Sequence, residues 1–227
     1  MSIEISNVFK NNRIMKKLSI LFIGLLVGLS LFGQEKFEEK DKEAKVILDK
    51  LGKELKGYKS MIIDFKLTIK SADLNETQTG KAYTKGDKFF YTTEDRDVYS
   101  DGESVWTHVK EDNECYIDAV EDLDGGINPS EIMTIWDKNF KYKKIGTKDG
   151  ITEIRLYPTN PSESKYHTVI LKIDEAKNEL KKITIKTKEA VTIQFKIVKL
   201  TPNTTISDSK FTWVKAKHPG VEEIDNR

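Results

Sequence analysis

The sequence predicts a mainly β protein in which one large antiparallel sheet curls into an unclosed half-barrel, with amphipathic helices forming a lid over a hydrophobic cavity. From residue 61 onward, apolar and polar residues alternate in short segments that are separated by tight turns. Helical periodicity occurs in only two stretches, and neither alternates regularly with strands. A strongly twisted sheet of about ten strands tends to curl or close, so the helices are the elements available to cover its concave face.

The first helix is predicted over residues 38–57, EEKDKEAKVILDKLGKELKG. Its apolar residues recur at steps of three and four, which leaves one apolar stripe on a strongly charged helix. Gly57 suits the end of this helix, because glycine is favoured just after a last helical turn. The stripe that must pack against another element consists of Val46, Ile47, Leu48, Leu51 and Leu55.

The strands are predicted from alternation with a period of two. In the segment MIIDFKLTIK, Ile63, Phe65 and Leu67 alternate with polar residues, which is typical of a strand buried on one face. The same alternation predicts strands at 80–85, 88–93, 98–100, 104–110, 114–119, 140–145, 152–157, 166–173, 180–186 and 191–200.

The second helix is predicted over residues 128–139, NPSEIMTIWDKN. Asn128 can cap it, Pro129 suits its first turn, and Glu131 occupies the third helical position of a capping box. Its apolar face would consist of Ile132, Met133, Ile135 and Trp136.

The N-terminal residues predict export. Met15-Lys16-Lys17 precede an apolar run over residues 18–32, a pattern typical of a secretory signal peptide. We expect residues 1–14 to be a non-native upstream extension, 15–33 the signal peptide cleaved near Gly33, and 34–227 the mature exported domain. Since Cys115 is the one cysteine, no intramolecular disulfide is expected.

Composition and motifs favour binding over catalysis. The 38 basic and 37 acidic residues are interspersed, so the sequence shows no basic footprint for nucleic acid. Cys115 is flanked by Glu114, which would raise its pKa, so we predict a structural cysteine. Residues 120–131 approach a calcium loop but lack the first carboxylate, and they are predicted to be an acidic loop. No nucleophile or phosphate-binding motif occurs, so we predict no enzyme activity, no cofactor and no metal site.

The three histidines lack metal-binding spacing, because none forms an HxH or HExxH pair. We therefore predict that His108, His167 and His218 are ordinary surface or hydrogen-bonded histidines.

Aromatic and long aliphatic residues at the alternating positions suggest a cavity for an acyl chain. Such a guest needs apolar area rather than polar groups, since each buried CH₂ contributes about 0.8 kcal/mol. A dry, well-packed core explains the same residues equally well. The predicted cavity residues are Leu48, Leu51, Leu55, Phe65, Leu67, Phe89, Tyr91, Trp106, Ile132, Met133, Trp136 and Phe195.

Four segments resemble the LolA-type outer-membrane lipoprotein carriers: GKAYTKGDKFFYTT at 80–93, YSDGESVWTHVKEDNECYI at 99–117, NPSEIMTIWDKNFKYK at 128–143 and FTWVKAKHPGVEEIDNR at 211–227. The resemblance implies an unclosed β-barrel with a helical lid over a hydrophobic cavity. It also implies a periplasmic carrier, which we expect to be monomeric. Such a carrier takes acylated lipoproteins from an inner-membrane transporter and delivers them to an outer-membrane receptor.

One departure from the family concerns the lid. Many members carry an Arg-Pro pair before the aromatic residue, and that arginine hydrogen-bonds to the lid, whereas residues 85–89 here read KGDKF. Lys85 and Lys88 are the candidates for a replacement latch, although lysine lacks the planar fork of arginine. A second hypothesis is therefore a lipid- or lipoprotein-binding or envelope-sensing module that does not shuttle. A hydrolase using Cys115 or His108 is a third.

Overall fold

The structure is a computed structural model that describes residues 41–122, 129, 133–137 and 139–227. The proposed upstream extension, the signal peptide and its cleavage site, Ile132 and much of the 128–139 helix lie outside the described residues. Within that helix, residues 135–137 form a short 3₁₀ turn. The described elements are α1 (Lys42–Gly57), β1 (Met61–Lys70), β2 (Asn75–Lys85), β3 (Lys88–Thr92), β4 (Arg96–Ser100), β5 (Ser104–Val109), β6 (Glu114–Ala119), β7 (Phe140–Lys148), β8 (Ile151–Pro158), β9 (Tyr166–Asp174), β10 (Glu179–Thr187), β11 (Thr192–Pro202) and β12 (Glu222–Asp225).

The strands of the described part form one twelve-stranded sheet in the order β12-β6-β5-β4-β3-β2-β1-β11-β10-β9-β8-β7. The two edge strands, β12 and β7, are not neighbours, so the sheet is unclosed and the predicted half-barrel is confirmed. The prediction of a wholly antiparallel sheet is wrong at one edge, where β12 pairs with β6 in parallel. Strand β12 was not predicted because its four residues, EEID, are too few to show an alternating pattern.

Helix α1 begins at Lys42 rather than at residue 38, because Asp41 has non-helical dihedral angles (φ −58°, ψ 124°) and caps the helix. Most of the predicted stripe packs on the sheet, since Leu48, Leu51 and Leu55 are buried, but the inclusion of Val46 is wrong. Val46 lies on the opposite side and is 69% exposed. No helix in the described part of the chain combines the length and apolarity that a membrane span requires.

The main core lies between α1 and the inner face of β1 and β7–β11. Within it the rings of Phe65 and Phe195 stack with centroids 4.8 Å apart. The Phe65 ring also covers Gly80 on β2, where an added Cβ would lie 2.3 Å from Phe65 Cζ. This close approach requires glycine at position 80.

The segment that follows β11, residues 203–221, packs on the outer face of the other half of the sheet. Ile206 and Phe211 form a cluster with Phe90 of β3. Further along, Trp213 and Val221 pack with Cys115 of β6, before β12 joins the sheet edge. The segment therefore covers the outer face of β3–β6 much as α1 covers the inner face of the other half.

A histidine pair lies beneath this C-terminal segment. His108 on β5 and His218 have ring centroids 5.6 Å apart, and His218 stacks on Trp213 at 3.8 Å. Both ring nitrogens of His108 are buried, and neither has a hydrogen-bond partner among the described residues. The prediction of a solvated or hydrogen-bonded histidine is therefore wrong for His108, because the pleat of β5 turns its ring under the segment.

The environment of His218 favours its neutral form. Burial is the largest effect that lowers the pKa of His218, followed by the neighbouring His108. Asp97 of β4 acts in the opposite direction, and Lys217 lowers the pKa further. Protonation of His218 is therefore unfavourable while the segment is docked.

We predict that acidification loosens the C-terminal segment. Because the pKa of His218 is lowered on folding, its contribution to stability is complete above the ordinary histidine pKa near 6.5 and is lost as the pH falls through the lowered value. Hydrogen exchange corrected for intrinsic rates should show protection of residues 206–221 falling severalfold between about pH 7.5 and about pH 5. The variant His218→Phe should lose this pH dependence, and an unchanged dependence would contradict the assignment.

Candidate functional site

The structure brings most of the predicted cavity residues together on the inner face beneath α1. One buried cluster joins the α1 stripe to β1, β11 and the 133–136 region. Seven residues selected from the sequence belong to it, and Leu67 packs against it; the seven are Leu48, Leu51, Leu55, Phe65, Met133, Trp136 and Phe195.

The remaining predicted residues divide between the two faces. Phe89 lies on the inner face in a smaller cluster with Val98 and Val105, and Tyr91 packs against both inner clusters. Trp106 lies on the outer face, where it packs against the cluster of Cys115, Trp213 and Val221. It therefore cannot line the inner face, a placement fixed by the pleat of β5, which the sequence alone did not reveal.

The candidate latch lysines contact the C-terminal segment instead of the lid. The Nζ atoms of Lys85 and Lys88 lie 2.8 and 3.7 Å from the carboxylate of Asp208. Lys85 also donates to the carbonyl of Ile206 at 3.3 Å. Both lysines therefore hold the segment on the outer face, and the structure gives them no role beside α1.

A pocket of about 410 Å³ opens at the C-terminal end of α1. This volume is within the range of about 300–1,000 Å³ that is usual for small-molecule sites. The apolar lining comes from α1, from the 133–136 region and from strands β10 and β11: Leu55, Met133, Leu180, Ile197 and Leu200. The rim is charged and polar: Glu54, Lys177, Asn178, Glu179, Lys181 and Lys199.

Sequence reasoning selected Leu55 and Met133 of this lining but missed the strand residues. Leu180, Ile197 and Leu200 lie in segments that were predicted as strands. A register shift opposite Phe65 lets Ile197 and Leu200 both face inward, although they are three residues apart. Simple alternation could not have placed both on one face.

The N-terminal end of α1 is tied to the edge strand β7 through Asp41. Its backbone N–H donates to the Tyr142 carbonyl at 3.2 Å, and its carboxylate accepts from the Lys144 backbone N–H at 3.1 Å. The same carboxylate accepts from the N–H groups of Glu43 and Ala44 at 2.9 and 3.1 Å. Asp41 thus caps the helix and occupies part of the free edge of the sheet.

The C-terminal end of α1 is tied to the turn between β9 and β10. The carboxylate of Glu54 accepts hydrogen bonds from the Tyr58 hydroxyl at 2.6 Å and from the side-chain amide of Asn178. These two hydrogen bonds lower the pKa of Glu54. Burial, followed by the bond to Glu54, raises the pKa of Tyr58 to about 12.

The residues with catalytic potential lie away from this site. Cys115 is fully buried on the outer face, where burial and then the charge of Glu223 raise its pKa to about 12. A thiol with this pKa is not a reactive nucleophile at neutral pH. In the described residues no group of three or more His, Cys, Asp or Glu side chains is arranged to hold a metal ion.

No family model and no curated protein matches the chain. Among solved structures, an uncharacterized conserved protein from Thermus thermophilus is similar with a TM-score of 0.53 and 10% identity, over 82% of this chain and 100% of that one. A LolA superfamily protein is also similar. It comes from Nitrosomonas europaea, with a TM-score of 0.42 and 11% identity, over 75% of this chain and 97% of that one. LprF from Mycobacterium bovis is similar with a TM-score of 0.45 and 11% identity, over 74% of this chain and 96% of that one. At these identities the similarity concerns the fold alone.

We predict that replacing Asp41 destabilises the protein, and that Asp41→Ala lowers its stability more than Asp41→Asn does. Asp41→Ala removes the helix cap and the contact with β7, so the free energy of unfolding should fall by about 1–2 kcal/mol. Asp41→Asn keeps a side-chain oxygen for capping but turns an amide group toward the Lys144 N–H, so its loss should be smaller. Urea denaturation at neutral pH measures both losses.

The pH dependence provides the control for Asp41. Burial raises the pKa of Asp41, but the N–H donors of Ala44, Lys144 and Glu43 together outweigh it and hold the pKa below its ordinary value. The advantage of the native protein over Asp41→Asn should therefore be complete above about pH 4 and be lost as the pH falls through the lowered pKa. Equal stability of the native, Ala and Asn proteins at neutral pH would contradict this role.

Proposed function

We propose that the protein binds the acyl chains of lipids or lipoproteins between α1 and the inner face of the sheet. The pocket that opens at the end of α1 carries this proposal, because its apolar lining residues Leu55, Met133 and Ile197 belong to the same buried cluster as Leu51 and Phe195. An acyl chain needs contact area rather than polar partners, and each buried CH₂ contributes about 0.8 kcal/mol.

The attachments of α1 make it a lid that an acyl chain could displace. Its ends are held by polar contacts at Asp41 and Glu54. These contacts lie near the surface, where a hydrogen bond makes only a small net contribution to stability. Its middle is held by leucine side chains, each worth about 1.5–3 kcal/mol when fully buried. A bound acyl chain would replace those apolar contacts, so the cost of moving α1 would be largely offset.

We further propose that this binding serves transport of acylated lipoproteins across the periplasm, from an inner-membrane transporter to an outer-membrane receptor, by a monomeric carrier. This finer proposal is supported by the resemblance of residues 80–93 and 128–143 to the LolA-type carriers. The apolar run at residues 18–32, with its basic start, supports export to the periplasm.

A lipid- or lipoprotein-binding or envelope-sensing module without shuttling is the second candidate. The contacts of Lys85 and Lys88 with Asp208 favour it, because they leave the lid without the arginine latch of the family. The two candidates differ in one activity: a carrier releases a lipoprotein from membranes into solution, whereas a module of the second kind binds acyl chains without releasing the lipoprotein.

We predict that Leu200→Trp blocks acyl binding while leaving the fold intact. Leu200 lines the pocket and is only partly buried, so a larger side chain would fill the pocket without overpacking the core. The affinity for a fluorescent fatty acid should fall by about tenfold or more, since the indole would take the place of several CH₂ groups.

Two substitutions on α1 serve as matched controls. Leu51→Asp places a charge in the buried stripe and should abolish binding, whereas Val46→Asp on the exposed side should leave binding unchanged. Circular dichroism shows which variants remain folded. Fatty-acid binding by folded Leu200→Trp protein at the native affinity would place the acyl site elsewhere.

A further inference from the structure

The register of the sheet gathers lysines that are scattered along the sequence. Lys66 of β1 lies opposite Lys196 of β11, which lies opposite Lys182 of β10, and Lys182 in turn lies opposite Lys172 of β9. Four lysines therefore form one row across four adjacent strands. At about 4.8 Å between strands, the row is roughly 14 Å long.

A second, parallel row extends the charge in the other dimension. Four residues further along their strands, Lys70 and Lys186 both lie opposite Thr192 of β11. At about 3.3 Å per residue, the two rows are roughly 13 Å apart. The outward positions within residues 66–70, 168–172, 182–186 and 192–196 hold no acidic residue. We call this surface the lysine face; its lysines are Lys66, Lys70, Lys172, Lys182, Lys186 and Lys196.

Four lysines of the lysine face are exposed, Lys172 and Lys182 are half-buried, and most of its charges are unpaired. It lies opposite the inner core, because its residues alternate with buried ones such as Phe65, Leu171 and Ile183. Lys172 forms an ion pair with Glu153 at 2.6 Å, at the border of the face. The other five lysines have no ion pair with a described residue: Lys66, Lys70, Lys182, Lys186 and Lys196.

The row of lysines does not stabilise the fold. Like charges directly opposite on neighbouring strands destabilise a sheet, and here three successive pairs are lysine with lysine. The opposite half of the outer face differs, since residues 203–221 cover it. A surface that carries several unpaired lysines and is not covered by another segment indicates a negatively charged partner.

We propose that the lysine face docks the protein on a membrane surface that contains anionic lipid. The charges form a two-dimensional array of roughly 14 by 13 Å, which matches a plane of head groups better than a single acidic peptide. Lysine is a mobile point charge on a flexible stem, suited to diffuse phosphate groups rather than to one bidentate acceptor. The inference stands apart from the proposed acyl site, because it concerns the opposite face of the sheet.

Vesicle co-sedimentation tests the proposal with the full chain. We expect binding to vesicles of phosphatidylcholine with phosphatidylglycerol, weakened by salt, and little binding to phosphatidylcholine alone. The triple variant Lys66→Ala, Lys182→Ala, Lys196→Ala should bind the anionic vesicles about a hundredfold more weakly, because each lysine contributes about fivefold. Variants that share one N-terminus are compared, so any affinity of residues 18–32 for lipid is common to all.

A second triple variant controls for net charge. Lys53→Ala, Lys59→Ala and Lys148→Ala remove three exposed lysines outside the lysine face, so anionic-vesicle binding should stay within a fewfold of the native protein. The proposal would be overturned if the two triple variants bound anionic vesicles equally well. It would also be overturned if the native protein bound vesicles equally well with and without phosphatidylglycerol. Binding to polyglutamate without binding to anionic vesicles would also overturn it, in favour of an acidic protein partner.

Fatty-acid uptake separates this proposal from the acyl site. The lysine-face variant should take up fluorescent fatty acid with the native affinity, since its substitutions lie on the outer face. Uptake that falls together with vesicle binding would contradict the separation of the two faces. Absence of uptake in every protein would count against the acyl site while leaving the vesicle result unaffected.

Discussion

The packing of α1 on the inner face of the sheet is the interaction on which the rest of the structure depends. An unclosed sheet leaves its concave apolar face without a partner, and Leu48, Leu51 and Leu55 supply the missing contact. The same constraint links structure to function. Because the sheet does not close over its own core, another element covers it, and that element is attached at its two ends by polar contacts. In the function that we propose, an acyl chain enters by displacing this element.

The two halves of the outer face differ because the C-terminal segment covers only one of them. Residues 203–221 cover β3–β6 with aromatic and aliphatic side chains and with the salt bridge from Lys85 to Asp208. The other half stays open and carries the lysine face. The half whose outer face is covered by residues 203–221 is therefore joined in one sheet to the half whose inner face is covered by α1.

Local sequence patterns predicted the helix and the strands, whereas the positions of the site residues depend on pairing between strands that are distant in the sequence. Alternation around Phe65 and the stripe around Leu51 predicted β1 and α1, because both depend on neighbours a few residues away. Trp106 was placed on the wrong face because its orientation depends on the pleat of β5. The partner of Lys85 and Lys88 was missed because Asp208 lies more than a hundred residues away. The lysine face was hidden for the same reason, since only strand register brings Lys66 beside Lys196.

Photo-crosslinking tests the central claim, that an acyl chain lies between α1 and the inner face, most directly. A photoreactive fatty acid is bound, irradiated and located by peptide mass spectrometry. We predict adducts in the peptides that contain Leu55, Leu180 and Leu200, and their loss when unlabelled fatty acid competes. Adducts confined to outer-face peptides, such as those around Trp213 or Lys182, or labelling that resists competition, would contradict the account.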